Sequence, residues 1–141
     1  MRFYLLDSNV LSELMRNPRG TVAQKLEGVA ADADAHLITS IVVASEMRYG
    51  AVKKGSVPLA ERVDRLLASI EVAPLALGAD AAYAILRADL ERKGQLIGPN
   101  DMLIAAHAIA LDAILVTDNV GEFKRVKGLR LENWLRPSAS R

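Results

Sequence analysis

Four acidic residues stand where chemistry is commonly built. Asp7 ends the largely apolar run Arg2-Phe3-Tyr4-Leu5-Leu6 and leads into Ser8 and Asn9, and Asp118 follows Ala113-Ile114-Leu115-Val116-Thr117 in the same way. Asp101 comes directly after Gly98-Pro99-Asn100, and Glu46 lies early in the helical pattern that follows His36-Leu37-Ile38-Thr39-Ser40. Short apolar runs that stop at polar residues read as strands buried on both faces. Open parallel sheets bind ligands just beyond the carboxyl ends of such strands. Carboxylates gathered at that edge repel one another, two of them at about 4 Å by roughly 4 kcal/mol at an effective dielectric of 20. No lysine or histidine adjoins these acids in sequence. Protonation, a distant base folding in, or divalent cations must then offset the repulsion. Oxygen donors without cysteine or histidine select Mg²⁺ or Mn²⁺ over zinc. Two such ions can activate water and stabilise the leaving oxygen in phosphodiester cleavage.

Each acid also has a purely structural explanation. Asp7 is a good N-cap for the helix expected from Val10, Asp101 suits the positive end of a helix, Asp118 fits a turn, and Glu46 fits a solvated helix position. The set weighs more than its members, because four independent caps need not converge on one sheet edge.

The elements that must position them are legible from periodicity. Arg2–Leu6, His36–Ser40 and Ala113–Val116 read as strands, with Glu71–Leu75 and Leu129–Leu131 as shorter ones. Pro74 suits an edge strand or a strand end. Helical patterns run over Val10–Arg16, Thr21–Ala31, Ile41–Lys54, Pro58–Ile70, Gly78–Lys93 and Asp101–Leu111, with a short one around Gly121–Phe123. Gly98-Pro99-Asn100 reads as the turn that launches the helix at Asp101. Strands alternating with helices give a layered α/β domain with a mainly parallel sheet, and right-handed crossovers bring all strand ends and following helix starts to one edge.

With 141 residues the chain holds one domain, read as 1–135 followed by a frayed tail over 136–141. Its 18 basic and 17 acidic side chains leave a net charge of +1, which argues neither for nor against nucleic acid. The absence of cysteine excludes disulfides, thiolate metal sites and a cysteine nucleophile. No signal-like or membrane-spanning segment is evident, so a cytoplasmic protein with no membrane partner is expected. His107, among apolar neighbours, reads as a packed histidine, and His36 has no evident partner. Ser8 and Thr117 lack a base for nucleophilic work and fit hydrogen-bonding roles. Lys124, Arg125, Lys127 and Arg130 cluster after Asp118 and read equally well as a phosphate-binding rim or as a solvated face.

The segments Leu5-Leu6-Asp7-Ser8-Asn9, Ser45-Glu46-Met47-Arg48-Tyr49-Gly50, Gly98 through Ala108, Leu115-Val116-Thr117-Asp118-Asn119 and Glu122-Phe123 through Trp134 follow one another in an order that resembles the PIN-domain ribonucleases, specifically the VapC-type toxins of bacterial toxin–antitoxin pairs. The resemblance implies a five-stranded, mainly parallel sheet in three α/β/α layers and a Mg²⁺- or Mn²⁺-dependent endoribonuclease. Asp7 and Asp101 match that family's principal metal ligands, Glu46 and Asp118 complete its acidic pocket, and Ser8, Asn9 and Thr117 assist by hydrogen bonding. Ser8 stands where threonine is usual. The resemblance further implies a homodimer, a cognate antitoxin, contact with promoter DNA through that antitoxin, and an RNA substrate that in several relatives is tRNA. Water activated by the metal would attack the scissile phosphorus and leave 5′-phosphate and 3′-hydroxyl ends. Two rivals remain at this point. One is a phosphoaspartyl phosphatase, which would want an aspartate where Asn9 stands. The other is a catalytically silent binding module that keeps its acidic pocket for a partner.

Overall fold

The central strand β1 (Arg2–Leu6) buries Tyr4, Leu5 and Leu6 on its two faces. Around it, in the computed structural model, which describes residues 1–136, lie β2 (Ala35–Ser40), β3 (Glu71–Ala73), β4 (Ala113–Val116) and β5 (Arg130–Glu132). The sheet order is β3-β2-β1-β4-β5 and every neighbouring pair is parallel. Leu6 registers with Thr39 on one side and with Val116 on the other. Asp7, Ser40 and Thr117 therefore leave the sheet side by side.

Helices α1 (Ser8–Arg16) and α2 (Thr21–Ala30) link β1 to β2, and α3 (Ile41–Lys54) and α4 (Val57–Ala68) link β2 to β3. Helices α5 (Ala79–Arg92) and α6 (Pro99–Ala110) carry the chain back to β4, and α7 (Val120–Phe123) leads to β5. The first two crossovers step one way along the sheet and the last two step the other way. With right-handed connections, opposite directions put the two helix groups on opposite faces, which gives three layers. The reversal falls between β1 and β4, and such a switch point opens a crevice beyond the strand ends.

The core is continuous through both layers, with Leu5, Leu6, Leu11, Ile38, Leu90, Ile104, Leu115 and Phe123 fully buried. Each such side chain contributes about 1.5–3 kcal/mol by leaving water. Gly55 ends α3 in the left-handed conformation (φ 63°) that glycine adopts without strain.

Two helices start two residues earlier than expected. Helix α1 begins at Ser8, because Asp7 itself supplies the cap. Helix α6 begins at Pro99 instead of Asp101: proline at the first helical position loses no hydrogen bond that the helix would have made. Of the tail expected over 136–141, Arg136 is described and pairs with Asp118, and residues 137–141 lie outside the described residues.

Candidate active site

Asp7 is both a cap and a buried carboxylate. Its backbone N–H donates to the Val116 carbonyl (2.9 Å), and the residue is 4% exposed. Oδ1 accepts the Ser8 N–H at 2.8 Å, and Oδ2 accepts the Thr117 hydroxyl at 2.7 Å and the Asn9 amide at 3.4 Å. Burial pushes this carboxyl above the usual range, and the hydrogen bonds from Thr117, Ser8 and Asn9 pull it partly back. Asn9 also donates to Thr117 Oγ1 (3.3 Å) and accepts the Asp118 N–H (3.0 Å), which ties the ends of β1 and β4 together.

Asp101 occupies the first turn of α6, and Glu46 lies in the second turn of α3. The Asn100 amide donates to Glu46 Oε2 at 3.5 Å and links the two helix starts across the sheet edge. Burial raises the Glu46 carboxyl, the Asp7 charge raises it further, and the Asn100 hydrogen bond opposes both. Asp101 is pushed up to about 7, first by burial, then by the charges of Asp7, Glu46 and Glu122, and by a hydrogen bond with Glu122. A bond between two carboxyl groups needs a proton, and the upward direction places that proton on Asp101. Four carboxyl groups thus act on one another at the switch point. Among the described residues, no three acidic or histidine side chains are already drawn into a metal-coordinating cluster.

Residues 4–129 match the family model for the PIN domain. The chain belongs to the PIN-domain family. Ribonuclease VapC2 of Rickettsia felis is 39% identical over 132 residues, covering 93% of this chain and 97% of that relative. The tRNA(fMet)-specific endonuclease VapC of Shigella flexneri is 32% identical over 135 residues, covering 93% and 97% of the two chains. Among solved structures, VapBC2 from Rickettsia felis bound to a DNA fragment from its promoter superposes with a TM-score of 0.86 at 36% identity, over 94% of this chain and 98% of that one. These likenesses put the chain with the VapC-type PIN domains of VapBC toxin–antitoxin systems.

Within this PIN domain, Asp7, Glu46 and Asp101 come together as the sequence suggests. Asp118 has partners of its own: its Oδ1 accepts the Asn133 amide at 3.0 Å and pairs with Arg136 Nε at 3.3 Å. The acid that acts on Asp101 from this side is Glu122, on the short helix α7. Sequence reasoning missed Glu122 as a site residue. The available signal was its position one short turn after the strand-ending Thr117-Asp118-Asn119.

Thr117 and Asn9 hold Asp7 through their side chains, and Ser8 does so through its backbone N–H. Ser8 and Glu46 also line one wall of a recess of about 320 Å³ that runs between α1, α3 and α4. The basic cluster is dispersed. Arg125 donates to the Leu96 carbonyl, and Lys127 lies near enough to Asp89 to lower its carboxyl slightly, behind the larger effects of Lys93 and Arg92. Arg130 binds Asp112 through both its carbonyl (2.6 Å) and its carboxylate (3.0 Å). Asp112 precedes β4, so Arg130 lies at the opposite sheet edge from the acids, and the structure does not bring it to them. Lys124 is exposed at the end of α7. His107 is buried, with Nδ1 2.8 Å from Ser40 Oγ, whereas His36 does have a partner, Glu71 at 2.6 Å. No helix among the described residues is long and apolar enough to cross a membrane.

Proposed function

We propose that this chain is the ribonuclease toxin of a toxin–antitoxin pair, an endoribonuclease that uses Mg²⁺ or Mn²⁺ and is held in check by a cognate antitoxin. The observation that carries the reading is the gathering of Asp7, Glu46, Asp101 and Glu122 at the switch point, where burial first and then the charges of the other three lift Asp101 to about 7. Such a set is stabilised when a cation replaces the protons. The donors are all hard oxygens. Mg²⁺ needs only one or two carboxylates when waters and substrate phosphate complete its shell, so a preformed three-acid cluster is not required. The residues present fit the group.

Asp7 and Asp101 would hold the cation, with Glu46 and Glu122 completing the acidic wall. A bound cation supplies Lewis acidity toward water and the phosphate oxygens. The protein's part is orientation. Thr117, the Ser8 N–H and Asn9 fix both oxygens of Asp7, and Asn100 fixes Glu46. The acids also exclude an anionic strand from the site until their charge is neutralised. Hydrolysis by water, with no part for the ribose 2′-hydroxyl, leaves 5′-phosphate and 3′-hydroxyl ends.

The promoter-bound VapBC2 neighbour supports an antitoxin partner and contact with promoter DNA through it. The specificity for which the Shigella flexneri relative is named makes tRNA the first substrate to try. A homodimer and a cytoplasmic location complete the reading.

The test is incubation of purified, antitoxin-free protein with total bacterial RNA in Mg²⁺, Mn²⁺ or EDTA, beside Asp7→Asn. Asparagine keeps the helix cap, so the variant should fold while losing about 100-fold or more in cleavage. Discrete products only with metal and wild type support the reading. Cleavage in EDTA, equal cleavage by the variant, or 2′,3′-cyclic phosphate ends would overturn it.

A further inference from the structure

A cleft of about 950 Å³ lies between α2 and the segment that follows β5, lined by Thr21, Gln24, Lys25, Val120, Leu131, Asn133 and Arg136, among others. We infer that this cleft is the subsite for the RNA strand flanking the scissile phosphate, with Lys25 and Arg136 binding its backbone. The inference rests on the ribonuclease reading above and adds where the substrate runs.

Three observations carry it. The first is continuity with the acids. Asn9 donates to Asp7 and accepts from the Asp118 backbone, and Asp118 in turn holds Asn133 and Arg136 on the cleft wall. A strand with its scissile phosphate at Asp7 enters this cleft on passing Asp118.

The second is that Arg136 is built into place. The Asn133 side-chain oxygen accepts the backbone N–H groups of Leu135 and Arg136, both at 3.0 Å, and its amide donates to Asp118. Asp118 engages Arg136 at Nε, while the Arg136 side chain remains 80% exposed. An arginine anchored through Nε can present its outer nitrogens as a fork to phosphate oxygens. Asp118 then acts as a positioning residue for Arg136.

The third is the character of the lining. Val120 and Leu131 offer apolar surface for a base, Gln24 and Thr21 offer polar groups, and Lys25 and Arg136 offer positive charge. The one carboxylate on the wall, Glu132, has an oxygen occupied by the Trp134 indole N–H at 2.9 Å. Phosphate contacts position a strand without reading its sequence. The cleft should therefore govern affinity and salt dependence for any RNA.

The experiment measures bulk bacterial tRNA binding against salt for protein carrying Asp101→Asn to prevent cutting, alone and with Lys25→Ala plus Arg136→Ala. Cleavage of total RNA by the wild type and by the otherwise unaltered double variant runs in parallel. Both substituted side chains are exposed, so folding should be unaffected. Each lost phosphate contact on a single strand lowers the salt slope by about 0.7, so the double variant should lose about sevenfold less affinity than its parent between roughly 50 and 200 mM salt. Its KM should rise while kcat is largely kept, and Arg136→Lys should recover part of the slope. An unchanged slope with wild-type cleavage intact overturns this inference and leaves the ribonuclease reading standing. Absence of cleavage by the wild type sinks both. Unchanged RNA binding with impaired capture of the antitoxin would assign the cleft to a protein partner and also overturn it.

Discussion

Removing the charge at position 101 should stabilise the metal-free protein, by an amount that grows as pH rises from about 4 to about 7. In the folded state the Asp101 carboxyl is raised from 3.8 to about 7, chiefly by burial and then by Asp7, Glu46 and Glu122. The folded state therefore holds this proton more tightly than the unfolded chain does. The stability tied to that proton is fully present below about pH 3.8 and is lost as pH rises through about 7. At full strength the difference amounts to about 4 kcal/mol. Asp101 is only partly buried, and solvent screening reduces this to about 2 kcal/mol. Asparagine imitates the protonated acid: it is neutral at every pH and can still donate to Glu122. In a chain of this size, 2 kcal/mol corresponds to a rise in Tm of roughly 6–8 °C. Thermal unfolding followed by circular dichroism in EDTA should show that rise for Asp101→Asn at pH 8. At pH 4.5 the rise should be about a quarter as large, because little of the proton-linked stability has yet been lost there. An equal gain at both pH values, or a loss at pH 8, would refute the placement of Asp101 among like charges. The same substitution should abolish cleavage, so stability and activity would move in opposite directions.

Glu122→Gln should lower cleavage by about 10- to 100-fold, as expected for a group that supports a metal ligand, and by more than Asp118→Asn does; single-turnover rates at saturating RNA decide this, and a larger effect of Asp118→Asn would restore Asp118 to the centre of the acidic set. Thr117→Val removes the hydroxyl that donates to Asp7 and accepts the Asn119 N–H in a fully buried position. It should destabilise by about 1–3 kcal/mol, read as a lowered midpoint in urea, and an unchanged midpoint would show that the Asp7 oxygens find other donors.

The parts of this site that were legible in the sequence are those written as local punctuation. Leu5-Leu6-Asp7 and Leu115-Val116-Thr117 mark the ends of two buried strands, and parallel pairing does the rest, since Leu6 and Val116 lie in register. Asp101 and Glu46 were legible for the same reason, because helix starts follow strand ends at one edge. Asp7 turned out to be both the cap and the pocket carboxylate, so the structural and chemical explanations were never exclusive. What stayed hidden depends on chain returns. Asp118 looks like a fourth pocket acid until the segment after β5 brings Asn133 and Arg136 back against it, and no periodicity announces that contact. Glu122 sits on a four-residue helix too short for a pattern. Arg130 follows Asp118 closely in sequence, yet α7 and its loop carry the chain back across the sheet before β5 begins. That return places Arg130 beside Asp112 at the far edge. His36 found Glu71 only because β2 and β3 pair.

The claim on which the functional reading turns is that Asp7 and Asp101 jointly hold a divalent cation needed for cleavage. Calorimetric titration of Mn²⁺ into antitoxin-free protein tests it most directly, at pH 8 and pH 5.5, beside Asp7→Asn and Asp101→Asn. Binding should be clear at pH 8, weaken at pH 5.5 as protons reoccupy Asp101, and vanish in both variants. Equal Mn²⁺ binding by the wild type and both variants, or binding indifferent to pH across that interval, would contradict it.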